Sequence, residues 1–84
     1  MVISSIVLTQ KYEKDIKHIK EQDTKEKIKK QIQKIIENPE IGRPLQYSLK
    51  GERTIYIKPY RLIYAVEGNT LILLRFEHRK EVYE

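Results

Sequence analysis

The side chains best suited to chemistry in this chain are two arginines, Arg61 and Arg79, at opposite ends of one unit near the C-terminus. Arg61 sits in an apolar run, Tyr60-Arg61-Leu62-Ile63-Tyr64-Ala65-Val66. Arg79 follows a second such run, Leu71 to Phe76, within the basic and aromatic stretch His78-Arg79-Lys80-Glu81-Val82-Tyr83. A guanidinium offers a planar fork of donors that matches phosphate or carboxylate oxygens, which the point charge of a lysine does not. All the arginines, Arg43, Arg53, Arg61, Arg75 and Arg79, lie in the second half of the chain, and lysine is the sole cation of the first half. The first half therefore reads as structural and the second as chemical, with the Arg61 and Arg79 pair marking a phosphate site. The competing reading pairs Arg61 with Glu67 or Glu77 and leaves Arg79 in a flexible tail. Among groups able to move a proton near these cations are His78, whose imidazole ordinarily titrates at about 6.5, and Tyr56 and Lys58.

The elements that must position these groups follow from hydrophobic spacing. Gly68-Asn69 between the two apolar runs predicts a β-hairpin, since both turn positions must accept positive φ. Upstream, Arg53-Thr54-Ile55-Tyr56-Ile57 alternates as a strand, with Ile55 and Ile57 inward and Thr54 and Tyr56 on the other face. Lys58-Pro59 connects it to the hairpin. Proline cannot adopt positive φ, so the spacing predicts a wider or differently wound loop there. At the other end, Val2 to Leu8 is a β-branched run read as a strand, and Thr9 suits a helix N-cap.

Tyr12, Ile16 and Ile19 then share one helical face over about three turns, with Lys11, Lys14, Lys17 and Lys20 off the stripe. Asp23 and Glu26 resemble a capping box that starts a second helix, whose stripe is Ile28, Ile32, Ile35 and Ile36 and whose end is set by Asn38-Pro39 near Glu37. Residues 38–51 read as loop, tacked to the core by Leu45 and Leu49. The resulting fold is α+β: a strand, a two-helix hairpin and a three-stranded antiparallel meander, the helices on one sheet face.

Composition narrows the function. The chain has 84 residues, enough for one domain with a modest core, and no cysteine, which removes disulfides and thiolate metal sites. Its net charge is +5 with a pI near 9.5, favouring anionic partners. The Val2 to Leu8 run is too short to span a membrane and lacks signal-peptide flanks, and a cysteine-free, lysine-rich chain suits a reducing cytoplasm. No glycine-rich phosphate loop, histidine pair at metal spacing or Gly-x-Ser-x-Gly elbow is present, so neither cofactor nor metal is expected. His18, among lysines, reads as a surface histidine.

Pro44-Leu45 followed by Leu49-Lys50-Gly51, the Tyr60-Arg61-Leu62-Ile63-Tyr64 strand and the His78-Arg79-Lys80-Glu81-Val82-Tyr83 segment resemble the RelE/ParE superfamily of toxin-antitoxin toxins, over nearly the whole chain. The resemblance implies a toxin held inactive by a cognate RelB-like antitoxin. In the RelE branch it implies a ribosome-dependent endoribonuclease that cuts mRNA in the A site, against ribosomal RNA; in the ParE branch it implies a DNA gyrase inhibitor. A third possibility is an inactive relative that binds RNA without cutting it.

Cleaving RNA without a metal requires a base for the 2′-hydroxyl proton, cations on the phosphorane and an acid for the leaving 5′-oxygen. Arg61 and Arg79 suit the second task. For the proton the resemblance points to Tyr83, with His78 as its rival and Tyr56 and Lys58 as further candidates. A phenol ordinarily titrates near about 10, so Tyr83 would need strong positive charge beside it. Arg53, Lys50, Lys58, Tyr56 and Lys80 are the expected RNA-binding residues. RelE-like enzymes commonly carry several basic residues on the strand before Tyr-Arg; here Thr54 and Tyr56 stand there, an exposed tyrosine being able to stack an unpaired base.

Overall fold

A computed structural model of the chain describes residues 2–46 and 51–79. The order is β1 (Ser5–Leu8), α1 (Gln10–Lys17), α2 (Gln22–Glu37), β2 (Arg43–Pro44), β3 (Arg53–Ile57), β4 (Tyr60–Glu67) and β5 (Thr70–His78). The strands make one sheet in the order β1-β5-β4-β3-β2. β1 runs parallel to β5, and the remaining neighbours are antiparallel. The helices cover one face, α1 against β5 and α2 against β3. Among the described residues no helix is long and apolar enough to cross a membrane.

The core is what the alternation requires. Ile55 and Ile57 from β3, Leu62 and Tyr64 from β4, and Leu71, Leu73 and Phe76 from β5 meet Tyr12, Ile19, Ile28 and Ile35 from the helical segment. Thr9 caps α1 by accepting from the Tyr12 amide at 3.1 Å, and its hydroxyl also reaches the Leu73 and Leu74 carbonyls at 3.0 and 2.8 Å. The cap thereby fastens the helix to the sheet.

Several expectations need correction. β1 begins at Ser5 and α1 spans eight residues, so both are shorter than the periodicity predicts. No capping box starts α2: its N-cap is Glu21, which makes no side-chain cap bond, and Asp23 lies in the first turn, where a carboxylate instead meets the positive end of the helix. The loop after α2 contains β2, whose Arg43 and Pro44 pair with Thr54 and Arg53. Of the two alternatives for the Lys58-Pro59 connection, the wider loop is not found, for Ile57 pairs directly with Tyr60 across two residues, whereas the differently wound one is, with a cis peptide bond. At the opposite hairpin, Gly68 takes a φ of 59°, as its turn demands.

One irregularity sets the site. Ile63 pairs with Arg75 but Tyr64 pairs with Leu73, so Leu74 is an extra residue in β5. Strict alternation from Leu71 and Leu73 would aim Arg75 and Glu77 at the helices. The bulge reverses the parity: Phe76 and His78 take the helix face opposite Leu62 and Tyr60, while Arg75 and Glu77 join Ile63 and Arg61 on the other.

Candidate functional site

On the face away from the helices, β3 and β4 place Tyr56 directly opposite Arg61, and Thr54 opposite Ile63. Arg79 follows the end of β5, where its N–H donates to the Pro59 carbonyl at 2.9 Å and extends the pairing by one residue. Its Nη1 donates to the Tyr56 hydroxyl at 3.1 Å, and its guanidinium carbon lies 5.3 Å from the centre of the Tyr56 ring. Cation and ring hold each other in place, and Tyr56 remains 48% exposed. Arg61, Arg79, Tyr56 and Thr54 all line one groove of about 610 Å³. Its remaining walls are Arg43 of β2, Ile55, Ile41 in the turn after α2 and Gln31 on α2.

Two polar atoms here are buried without a partner, Nε of Arg61 and Oγ1 of Thr54. Buried donors left unmatched are costly, about 1–3 kcal/mol each, and a ligand that reaches them recovers that energy. Glu77, the cross-strand neighbour of Arg61, is engaged elsewhere: its carboxylate accepts from Arg75 Nε at 2.9 Å, and Arg75 also pairs with Glu52 at 3.3 Å. Arg75 is therefore committed to carboxylates and Arg61 is not.

The structure separates the other expected site residues. His78 belongs to β5 rather than to a tail, and its ring meets Tyr60 edge-on at 5.3 Å, beside a small cavity shared with Asp15 and His18 on the helix side. It faces away from Arg61. Arg53 donates to the carbonyls of Gly42 at 2.7 Å and Glu40 at 3.3 Å, bracing the loop rather than lining the groove. Lys58 is exposed in the turn between β3 and β4. Lys50, Lys80 and Tyr83 lie outside the described residues.

Gln31, Ile41, Arg43 and Thr54 were not singled out for the site by sequence. Arg43 carried the one available signal, as an arginine in the chemical half; a glutamine within α2 and an isoleucine in the turn after it carry none. Among the described residues no group of three or more His, Cys, Asp or Glu side chains could hold a metal ion.

The arrangement can grip a phosphate with guanidinium forks, place an exposed ring beside it and offer a phenol hydroxyl near the bound oxygens. No curated protein matches the chain. Among solved structures it resembles a chain of the RelB-RelE antitoxin-toxin complex from Methanococcus jannaschii, at 23% identity and a TM-score of 0.74, covering 92% of this chain and 94% of that one. It also resembles E. coli YafQ at 24% identity and 0.76, covering 94% and 97%. A chromosomal ParDE system chain from P. aeruginosa matches at 21% identity and 0.66, covering 90% and 96%. The family model for the ParE toxin of the type II toxin-antitoxin system matches residues 6–83. The chain thus belongs to the ParE toxin family, as a toxin-antitoxin toxin of the RelE/ParE superfamily with a RelE-like fold.

Proposed function

We propose that this toxin is a ribosome-dependent endoribonuclease that cuts mRNA in the A site by metal-independent acid-base catalysis, and that a RelB-like antitoxin holds it inactive in the cytoplasm. The observation that carries the reading is the unpartnered Nε of Arg61 in a groove that Arg43 and Arg79 also line. Three guanidiniums and, among the described residues, no carboxylate line this cavity, which favours a polyanion, and a pentavalent phosphorane gains more from such donors than the ground-state phosphate does. Tyr56 accepts from Arg79, which leaves its own hydroxyl proton free to reach a leaving oxygen. Tyr83 takes the role of base that the resemblance gives it.

An antitoxin suits a different surface. Ile6, Val7 and Leu8 of the edge strand β1 are 44–48% exposed, and the segment from Val2 to Leu8 holds no charge and no proline to guard that edge.

The test is purified toxin added to a translating extract. Cleavage of ribosome-bound mRNA that persists in chelator and is lost in folded Arg61→Ala supports the reading. The family match favours a second reading, a gyrase inhibitor, whose signature is intact translation with failed DNA supercoiling. RNA binding that weakens steeply with salt, without cleavage, marks an inactive relative.

A further inference from the structure

We propose that the groove holds more than the scissile phosphate: Gln31 of α2 and Ile41 of the following turn, which also line it, bind the unpaired nucleobase next to that phosphate, and Gln31 reads the edge of the base. The inference rests on the ribonuclease reading and names the determinant of sequence preference within the same groove.

The cavity, at about 610 Å³, has the size of a site for a whole small ligand, whereas the phosphate-seeking atoms of Arg61, Arg79 and Thr54 account for only part of its lining. The rest of the lining has different chemistry. Ile41 is an aliphatic residue left 44% exposed, it lines the same groove as the half-exposed Tyr56, and both offer apolar surface to a flat base. Gln31 is half-buried on α2, and its amide has no hydrogen-bond partner among the described residues. An amide carries both donor and acceptor and so complements the edge of a base, as a lysine or a carboxylate does not.

The sheet leaves room for the strand carrying that base. β2 pairs only with Arg53 and Thr54, so Ile55 to Ile57 have no strand on their outer side among the described residues. Recognition of single-stranded RNA commonly joins these features: cations on the backbone, a surface for the base face and a hydrogen bond to its edge. A peptide of the antitoxin would use the apolar wall but leave the guanidiniums and the glutamine without a shared purpose.

The experiment maps cleavage sites on translating ribosomes for the unaltered toxin, Gln31→Leu and Gln31→Glu, with folding checked by circular dichroism. The unaltered toxin is expected to prefer one base at one position of the cut site. Gln31→Leu should reduce that preference about tenfold or more, while total cleavage falls less than about tenfold. Gln31→Glu, now only an acceptor, should shift the preference toward bases that present an amino group, and it carries the test alone if Gln31→Leu does not fold. If the toxin cuts and both variants keep the original preference, the inference fails and the ribonuclease reading stands. Loss of antitoxin binding in Gln31→Leu with unchanged preference would make this wall a protein interface and overturn it. A toxin that cuts nothing at the ribosome removes the ribonuclease reading and this inference with it.

Discussion

The hydroxyl of Tyr64 accepts a hydrogen bond from the amide of Gly42 at 3.0 Å, across 22 residues of chain, and donates to the Pro39 carbonyl at 2.7 Å. A strand in the middle of the sheet thereby fixes the loop whose next residues, Ile41 and Arg43, wall the groove. The approach is close enough to exclude a side chain at position 42, where a Cβ would stand 2.7 Å from the Tyr64 oxygen. Tyr64→Phe should therefore cost about 1–3 kcal/mol by stranding a buried N–H and carbonyl. Gly42→Ala should destabilise as well and move the loop. Urea denaturation measures the cost, and both variants should cut RNA more weakly than their remaining stability explains.

The same tyrosine gives the fold an alkaline limit. Burial pushes the Tyr64 phenol up from its ordinary 10.0, against the smaller opposing effects of the Gly42 bond and the Arg53 charge, and burial raises Tyr12 likewise. A group with a raised folded-state pKa contributes stability that is whole below the unfolded value and declines as pH climbs through the folded one. Unfolding free energy should thus be flat in its tyrosine contribution up to about pH 10 and fall above it. Denaturation midpoints at a series of pH values should show this fall, smaller in Tyr64→Phe than in the unaltered chain. An identical fall in the two would mean that Tyr64 does not contribute.

Much of this framework was legible because it depends on local pattern. The stripe Ile28, Ile32, Ile35 and Ile36, the Thr9 cap, the Gly68 turn and the inward Ile55 and Ile57 all follow from residue type and spacing. The bulge at Leu74 did not, since period-two reading of Leu71 and Leu73 runs straight past it. That one residue decides which face holds His78, and so turns a residue expected beside Arg61 into one beside Tyr60. Nor could sequence show that Glu77 would choose Arg75 over Arg61, because that depends on side-chain reach across a completed sheet. The groove joins Gln31, Thr54 and Arg79, residues far apart in the chain, and only tertiary packing brings them together.

Asp15 illustrates a bond of the same long-range kind. β1 covers β5 only as far as Leu73, and beyond it the Phe76 N–H would lie unpaired at the edge. The Asp15 carboxylate accepts from that N–H at 2.9 Å and also pairs with Lys11 one turn back on α1. Asp15→Ala should lower stability by about 1–3 kcal/mol, whereas Asp15→Asn, which keeps an acceptor oxygen, should lose less. Hydrogen exchange at the Phe76 amide should rise in Asp15→Ala ahead of its neighbours. Unchanged exchange there would show that the carboxylate does not protect that strand end.

The guanidiniums of the groove should differ in how they tolerate substitution. Arg61 is half-buried with its Nε unfilled, so Arg61→Lys keeps the charge but loses the geometry and should behave much like Arg61→Ala, each reducing single-turnover cleavage about 100-fold or more. Arg79 is held by Tyr56 through both the ring and the hydroxyl. Tyr56→Phe keeps the ring under the cation and removes the phenol proton. If that proton goes to the leaving oxygen, Tyr56→Phe should slow cleavage about 100-fold, within the ordinary range for general acid catalysis, with binding of the RNA little changed. Tyr56→Leu should weaken binding too, since it removes the surface as well as the proton. A Tyr56→Phe toxin that cuts at the normal rate would leave the ring as the tyrosine's contribution and return the acid role to another group, with Tyr83→Phe as the next variant to measure.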